Sequence, residues 1–255
     1  MTKIVKYVLI DILRNKIIIA YTLFLAVLSF SVFSLEDSAD KGLLSLLNIV
    51  LIFVPLVSII FSTIYIYNSA EFIELLVSQP VKRKTLWLSL FTGLSIALCI
   101  SFLAGAGIAV LLFNFSPTGL VLVTAGLLLS IIFTAIACLA SVFTKDKAKG
   151  IGVSVLLWFY FSILFDGLML FLLFQLSDYP VEKFSLAATA LNPIDLARIF
   201  VLLQMDVSAL MGFTGAVFKD FFGSSTGIIV SVAVMFLWIL IPAGWSLRKF
   251  QRKDL

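Results

Sequence analysis

The sequence of 255 residues contains no histidine, and this absence excludes several kinds of chemistry. Without histidine, the chain has no imidazole for acid–base catalysis or for metal ligation. Its two cysteines, Cys99 and Cys138, each lie inside a long apolar run and indicate neither a disulfide framework nor a metal-thiolate cluster. No Walker A pattern, G-x-x-x-x-G-K-[ST], occurs, so the chain does not bind ATP phosphates by that route. We therefore expect no catalytic residue, metal site or other cofactor in this chain.

Charged residues are also scarce, and their scarcity excludes an ordinary soluble domain. They make up 13% of the chain, against about 25% in soluble proteins, while apolar residues reach 62% against about 45–50%. A globule of this length has too little interior to bury so much apolar surface. The net charge of +4 does not indicate binding to nucleic acid, because the basic residues lie between hydrophobic segments. We expect a protein that binds membrane lipid and no nucleic acid.

Long hydrophobic runs are what the sequence does have. A membrane-spanning helix needs about 20 mainly apolar residues. The runs are continuous and lack the alternation of an outer-membrane β-barrel, which favours helices. They predict an all-α membrane protein with six transmembrane helices, at residues 17–33, 43–67, 86–113, 119–143, 151–176 and 226–247.

The charges between these runs predict the orientation, because cytoplasmic loops are enriched in lysine and arginine. With a cytoplasmic N-terminus, that side carries 14 of the 18 basic residues and five acidic ones, a net charge of +9. The outer side carries four basic and eight acidic residues, a net charge of −4. Both termini are therefore predicted to be cytoplasmic. The four basic residues outside are Lys41, Lys183, Arg198 and Lys219.

Residues 1–16 precede the first run and have a pattern of their own. Apolar residues recur there at helical spacing, while Lys3, Lys6 and Arg14 lie on other faces. This pattern predicts an amphipathic helix in the cytoplasmic interface. Residues 17–255 then form the six-helix transmembrane domain, with a cytoplasmic connection at 68–85 and an outer loop at 177–225.

The cytoplasmic connection at residues 68–85 carries the most informative pattern. Three apolar residues at helical spacing, with two acidic residues one turn apart on a neighbouring face, predict a short helix: Phe72, Leu75, Leu76, Glu71 and Glu74. Pro80 disfavours helical geometry at Gln79, so the helix is expected to end near there. Two interpretations fit this pattern. The helix either lies parallel to the membrane and binds a cytoplasmic partner, or belongs to an ordinary solvated loop.

The same segment resembles the coupling helix of ABC-2-type transporter permeases, E-x-x-T-L-E-L-L-L-S-Q-P-V-S-R. The run begins at Glu71, departs from the family pattern at Phe72, Ile73 and Lys82, and matches it at Glu74, Leu75, Leu76, Ser78, Gln79, Pro80, Val81 and Arg83. In that family the helix seats in a groove of a separate ATP-binding subunit and relays its closure to the spans. The resemblance implies a dimeric permease of the bacterial cytoplasmic membrane, with ATP and Mg²⁺ bound by a partner ATPase.

The outer loop, residues 177–225, is long for a connection without structure. Asn192 as a cap and Pro193 at the first helical position predict a helix start. A largely apolar stretch follows to Gln204, with Asp195 and Arg198 one turn apart. At about 11 residues this helix is too short to span. We expect it to lie at the outer interface or to pack across the helix ends, either as a partner site or as a structural lid. Glycines between residues 212 and 227 predict a flexible, apolar return into the last span.

The outer segment from Leu191 to Gly227 resembles one branch of this family, the NosY-like permeases of copper-enzyme maturation. The resemblance implies a role in nitrous oxide reductase maturation, with a NosF-like ATPase and a NosD-like periplasmic β-helical protein as partners. A general ABC-2 exporter of a small molecule, drug or lipid is the alternative. A non-ABC secondary transporter and an intramembrane enzyme are further classes, but Asp166 has no second acid or histidine beside it in the sequence, which disfavours catalysis.

Two residues within the runs bear on a pathway or gate. Asp166 is the carboxylate deep in a span, where a charge costs at least about 2.5–3.5 kcal/mol. It is expected to face the bundle interior, a polar cavity or the partner protomer, or to be protonated. Its role is either that of a pathway or gating residue or that of a buried carboxyl that fixes helix packing. Pro55 predicts a kink in the second span, because it releases the carbonyl of Leu51. The kink is either a hinge or static.

Overall fold

The computed structural model describes residues 2–36, 38–78, 82–175, 187–205 and 212–252, and this part of the chain is almost entirely helical, with no strand. Six helices within it are long and apolar enough to cross a membrane. The prediction of an all-α protein with six transmembrane helices is confirmed.

The helices are numbered in chain order. Their bounds are α1, Thr2–Leu13; α2, Lys16–Leu35; α3, Ala39–Asn68; α4, Ala70–Val77; α5, Arg83–Phe113, with a π-helical segment at Leu103–Gly107; α6, Pro117–Phe143; α7, 147–175, with a π-helical segment at Tyr160–Leu164; α8, Pro193–Met205; and α9, Gly212–Gln251. Residues 187–190 form one further helical turn.

The predicted runs coincide with α2, α3, α5, α6, α7 and α9, but the last helix is longer than the run. Helix α9 begins at Gly212, 14 residues before the predicted start at Thr226. The prediction of a flexible return there is wrong, because the backbone is helical from Gly212 onward. A glycine inside a helix costs only about 1 kcal/mol, and glycine is frequent in membrane helices.

Short polar side chains cap the beginnings of several spans. The Asn15 side chain accepts a hydrogen bond from Ile17 N at the start of α2, and Ser38 caps α3 in the same way. Ser116 caps α6 with a proline at its first position, and Asp146 caps α7 by accepting from Lys149 N. Each cap satisfies one of the amide groups that a helix start leaves without a partner. The caps therefore explain why the chain turns at these points.

Helix α6 occupies the centre of the bundle. In its most apolar window 72% of residues are buried, against 17% in α7. The ring of Phe102 packs directly on Gly126 of α6, and a Cβ at that position would overlap the ring. Glycine therefore permits the close approach of α5 to α6. Helix α7 lies at the periphery and leaves most of its apolar surface uncovered.

Helix α1, helix α4 and the C-terminal end of α9 lie at the same end of the bundle. Tyr7 of α1 stacks on Phe72 of α4, with ring centroids 5.3 Å apart. The Tyr65 hydroxyl at the end of α3 donates to Asp11 Oδ2 of α1 over 3.0 Å. Trp87 at the start of α5 stacks on Phe250 of α9, with centroids 4.4 Å apart. We call this the α4 end. The opposite end, where α8 lies, is the α8 end.

Candidate functional site

Helix α4 forms where the apolar spacing predicts a short helix, directly after α3. One residue, Ser69, separates the two helices, and its backbone amide donates to the Tyr65 and Tyr67 carbonyls. The helix ends at Val77, and Ser78 follows with its hydroxyl donating to the Leu75 carbonyl over 2.8 Å. Gln79, Pro80 and Val81, which belong to the predicted coupling set, lie outside the described residues.

Helix α4 has one side packed against the bundle and another side exposed. Ile73 is buried, and Leu76 packs against the apolar cluster that α1, α5 and α9 share at this end. Glu71, Leu75 and Ser78 are exposed and lie within about 60° of one another at 100° per residue. Leu75 is 59% exposed. These three residues form the exposed face of α4.

Glu74 and Arg83, also in the predicted coupling set, do not lie on the exposed face of α4. Glu74 lines a cleft between α4 and the ends of α3, α5, α6 and α9. Arg83 begins α5, and its Nη1 lies 3.5 Å from the Gln251 carbonyl oxygen at the end of α9. The structure therefore divides the predicted set among an exposed face, a cleft and a helix end.

The cleft beside α4 has a volume of about 290 Å³. Ile73, Trp87 and Phe250 supply apolar walls, while Glu74 and Lys145 bring opposite charges to its lining. The Trp87 indole nitrogen donates to Ser246 Oγ over 3.0 Å, which fixes one wall. The cleft is therefore amphipathic, with both charges on the side chains of exposed residues.

A polar clamp holds the start of α7 against the end of α3. The Tyr67 hydroxyl hydrogen-bonds to the carbonyl oxygen of Thr144, over 3.0 Å, and to its side-chain hydroxyl. Lys147 Nζ donates to Asn68 Oδ1 over 2.7 Å. The buried hydroxyls of Thr63 and Ser154 are 2.7 Å apart. Each of these bonds joins residues 77 to 91 positions apart in the sequence, and together they fasten the end of α3 to the start of α7 immediately before α4 begins.

Gly150 of α7 completes the clamp. The Tyr67 ring lies where a Cβ of residue 150 would project, so only glycine fits without displacing the ring. Sequence reasoning missed this glycine and the clamp residues, since the bonded partners lie 77 to 91 positions apart. The one available signal was the polar interruption Thr144-Lys145-Asp146 between two apolar runs.

At the α8 end the structure brings together three charged residues that the sequence singled out separately. Arg198 Nη1 lies 3.2 Å from Asp166 Oδ2 of α7 and 3.2 Å from Asp195 Oδ1 of α8. Asp166 is nine residues before Gln175, where the described part of α7 ends, and therefore about 14 Å inside that end. The Arg198 guanidinium thus forms ion pairs with two carboxylates and joins α7 to α8.

Asn192 ties this ion cluster to the backbone of α7. Its Oδ1 accepts from Ile194 N at the start of α8, over 3.0 Å, which confirms the predicted cap. Its Nδ2 donates to Asp195 Oδ2 over 3.1 Å and to the Phe161 carbonyl oxygen over 2.9 Å. Phe161 lies in the π-helical segment of α7, where the wider turn alters the backbone hydrogen-bond register. The fully buried Asn192 side chain therefore links the helix start, the ion cluster and the π-helical segment.

The environment of Asp195 favours its protonated form. Burial and, after it, the negative charge of Asp166 raise the pKa of the Asp195 carboxyl to about 7. Arg198 acts in the opposite direction, but its single positive charge is shared by two carboxylates. The pKa of the Asp195 carboxyl therefore lies near neutral pH.

Helix α8 itself packs inside the bundle rather than along its surface. Residues from Pro193 to Leu203 are mostly buried in the main core, and Ile194, Leu196 and Phe200 belong to the same apolar cluster as α3 and α6. Helix α8 is therefore buried against the spans, and neither predicted placement, at the outer interface or across the helix ends, is confirmed. The rest of the predicted outer loop, at 177–186 and 206–211, lies outside the described residues.

Helix α3 continues through Pro55 without interruption. Close to this position, the Trp158 indole nitrogen of α7 donates to the Ile52 carbonyl oxygen over 3.1 Å. The missing N–H of Pro55 releases the carbonyl of Leu51, so the Trp158 bond lies one residue beyond the released carbonyl. The hinge role of Pro55 stays a prediction.

The sequence was compared with known families and proteins. It matches the model of the ABC-2 family transporter proteins over residues 3–255. A protein of Pseudomonas aeruginosa named "Probable ABC transporter permease protein NosY" is 28% identical over 225 residues, which cover 80% of this chain and 82% of that protein. A protein of Stutzerimonas stutzeri with the same name is 27% identical over an alignment of 266 residues, covering 93% of this chain and 91% of that protein.

Proposed function

The chain belongs to the ABC-2 transporter family and is an integral membrane permease of the bacterial cytoplasmic membrane, and on that premise we propose that a separate ATPase drives it through α4. ATP and Mg²⁺ are bound by that partner. Closure of the ATPase moves α4, and the chain converts this movement into transport or into force on an outer partner.

The exposed face of α4 is the observation that carries this proposal. Leu75 is 59% exposed between Glu71 and Ser78, while the opposite side of the helix is anchored by Ile73 and by the Tyr7–Phe72 stack. Interfaces place apolar anchors at their centre and polar groups around them. A short helix with one buried side and one exposed leucine has the form of a docking element. The polar clamp at the end of α3 provides a rigid base from which a push on α4 reaches α7.

The proposal includes the orientation and a homodimer. Fourteen of the 18 basic residues fall on the side that carries α4, so this side faces the cytoplasm by the positive-inside rule. The apolar surfaces of α2 and α7 favour a second copy of the chain as a partner, with lipid on the remainder. Leu156 and Leu170 of α7 are 66% and 70% exposed.

A NosY-like role in copper-enzyme maturation is the finer part of the proposal. The two NosY relatives and the resemblance of the outer segment support a function in nitrous oxide reductase maturation, with a NosF-like ATPase and a NosD-like periplasmic protein. At this level of identity, a general ABC-2 exporter is the second candidate. The ion cluster at the α8 end favours force transmission over metal transport by this chain, because its carboxylates are engaged by Arg198.

Co-purification with the cognate ATPase tests the proposal. Leu75→Glu places a charge at the centre of the exposed face and is expected to lower ATPase retention at least about tenfold, since loss of an interface anchor costs about 2 kcal/mol or more. Leu35→Glu is the matched control, because Leu35 is 84% exposed at the far end of α2. Equal ATPase retention by the two variants would contradict docking through α4.

A further inference from the structure

The cleft beside α4 contains two charged groups that have no partner among the described residues. Glu74 and Lys145 both contribute to its lining, and neither forms an ion pair or hydrogen bond with any described residue. No ion pair joins them to each other across the cleft. The lining thus offers one anionic and one cationic group, while the hydroxyls of Tyr67 and Thr144, which also line it, are bonded to each other. Such a lining is complementary to a ligand that carries both charges.

The position of the cleft favours a lipid as the source of that ligand. Its walls come from the ends of α3, α5, α6 and α9, the level at which lipid headgroups meet membrane helices. Beside it, Phe143 and Trp245 pack edge to face with centroids 5.6 Å apart, and they are 50% and 56% exposed. Lys249 Nζ lies 5.5 Å from the centroid of the Phe143 ring. Exposed aromatic rings next to a cation are typical of the membrane interface.

The size of the cleft fits a headgroup rather than a whole lipid or a drug-sized molecule. Its volume of about 290 Å³ is at the lower end of the roughly 300–1,000 Å³ found for small-molecule sites. It equals the space of about ten waters at about 30 Å³ each. A phosphate and a short amine fill such a volume, while acyl chains would follow the apolar helix surfaces outside it.

We propose that this cleft binds the phosphoethanolamine headgroup of a membrane lipid, with Lys145 on the phosphate and Glu74 on the ammonium. Lysine binds phosphate as a point charge, and a carboxylate accepts hydrogen bonds from a primary ammonium. A phosphoglycerol headgroup offers Glu74 no cation, and a trimethylated ammonium offers it no N–H donor. The cleft therefore distinguishes lipids by the amine as well as by the phosphate.

This site leaves the exposed face of α4 free. Ala70, Ile73 and Glu74 line the cleft, whereas Glu71, Leu75 and Ser78 point about 100° or more away from its centre. One helix therefore contacts the lipid on one face and the ATPase on another. A bound headgroup would bridge α4 and the α6–α7 connection, which carries Lys145, and so hold α4 in place.

Native mass spectrometry of the purified full-length chain, without the ATPase, tests the lipid site independently of ATP coupling. The chain in detergent micelles is titrated with phosphatidylethanolamine, phosphatidylcholine or phosphatidylglycerol. Phosphatidylethanolamine is expected to be retained about tenfold more strongly, since one charge-assisted hydrogen bond is worth about 1.5 kcal/mol or more. Lys145→Gln and Glu74→Gln are each expected to lower its retention about tenfold. Lys149→Gln is the matched control, an exposed lysine outside the cleft lining.

Four results would overturn the proposal. Retention of phosphatidylglycerol equal to that of phosphatidylethanolamine would indicate a general anionic-lipid surface. Unchanged retention in both cleft variants would place the lipid elsewhere. Competition by soluble phosphoethanolamine at equal concentration would indicate a small-molecule site. Loss of ATPase co-purification in the cleft variants, with lipid retention intact, would make the cleft a protein-docking surface.

Discussion

The two ends of the bundle use polar residues in opposite ways. At the α4 end, the bonds that fasten α3 to α7 join mainly neutral groups, such as Tyr67 and Thr144, while Glu74 and Lys145 remain unpaired. At the α8 end, the charges of Asp166, Asp195 and Arg198 are engaged with one another. The α4 end therefore has two charges, those of Glu74 and Lys145, without a partner among the described residues, whereas the α8 end uses its charges to join two helices.

Helix α7 connects these two ends and is fastened by polar contacts at both. Gly150 lies under the Tyr67 ring, and Asp166 pairs with Arg198 sixteen residues later, a rise of about 24 Å. Between the two contacts lies the π-helical segment at Tyr160–Leu164, whose Phe161 carbonyl accepts from Asn192. A movement imposed at the α4 end is therefore transmitted along the backbone of α7 to the residues that contact α8. The π-helical segment lies where Asn192 contacts α7.

The largest expected effect comes from removing the shared cation at the α8 end. Arg198→Met leaves two carboxylates without a counter-charge and is expected to lower the free energy of unfolding by about 3 kcal/mol. This is the low end of the range for breaking a buried ion pair, because the Arg198 and Asp166 side chains are about one-third exposed. Denaturant unfolding in mixed micelles measures the change.

Lys84→Met provides the matched test at the other end. Lys84 is exposed at the α4 end, and its loss is expected to change stability by less than about 0.5 kcal/mol. Equal effects of the two variants would remove the contrast between the ends. Adding Asp166→Asn to Arg198→Met is expected to restore part of the loss, since one of the unpaired charges is then gone. Asp166→Asn alone with full transport would exclude a charge-dependent role in the pathway.

Much of the fold could be predicted because lipid imposes a simple requirement on the sequence. Every span needs about 20 apolar residues, and continuous runs of that length are visible without any knowledge of packing. A helix start was also predictable, because a cap depends on a few adjacent residues, such as Asn192 and Pro193 at the start of α8. The start of α9 was missed because its first turns are rich in glycine, which reads as a loop in a local window.

The polar contacts could not be predicted, because they depend on which helices become neighbours. Asp166 and Arg198 were both singled out, but nothing in the sequence assigned one as the partner of the other across 32 positions. Tyr67 and Gly150 were not singled out, since neither an aromatic residue nor a glycine is unusual near a span end. Their importance arises only when α3 and α7 pack together.

Alanine substitutions at two glycines of α7 test the clamp at the α4 end. Gly150→Ala places a methyl group against the Tyr67 ring and is expected to cost about 2 kcal/mol, as overpacking typically does. Gly152→Ala meets no atom within 4 Å and is expected to be neutral or to stabilise by up to about 1 kcal/mol. Unfolding of the two variants measured side by side gives the difference. Equal stability would mean that α3 and α7 are not in close contact here.

The pH dependence of stability sharpens the contrast at the α8 end. The pKa of Asp195 is about 7 in the folded protein and 3.8 for an unperturbed aspartate, so the folded state binds the proton more tightly. The resulting stabilisation is complete below about pH 3.8 and is lost as the pH rises through 7. Between pH 6 and pH 8 the expected loss is about 1.4 kcal/mol.

Unfolding midpoints at pH 6, 7 and 8 measure this loss, and Asp195→Asn is the control. The amide does not titrate, so the variant is expected to lack the decline over this range. A decline that persists in Asp195→Asn would assign the proton to another group. Asp166 and Asp195 share Arg198, so the variant also leaves the guanidinium with Asp166 as its one charged partner among the described residues.

The smallest expected effect concerns the hydroxyl of Tyr67, and it tests whether the clamp depends on its polar bonds or on its shape. Tyr67→Phe keeps the ring over Gly150 but removes the hydrogen bonds to Thr144. It is expected to lower the free energy of unfolding by about 1 kcal/mol or less, because Thr144 is half-buried and water can replace the lost donor. A double-mutant cycle with Thr144→Val isolates the coupling between the two side chains, expected at about 0.5 kcal/mol. If the coupling is zero while Gly150→Ala remains costly, packing of the ring alone fastens α3 to α7. The bonds between Tyr67 and Thr144 would then add nothing to the contact between α3 and α7, and the other polar contacts of the clamp would be the next ones to test.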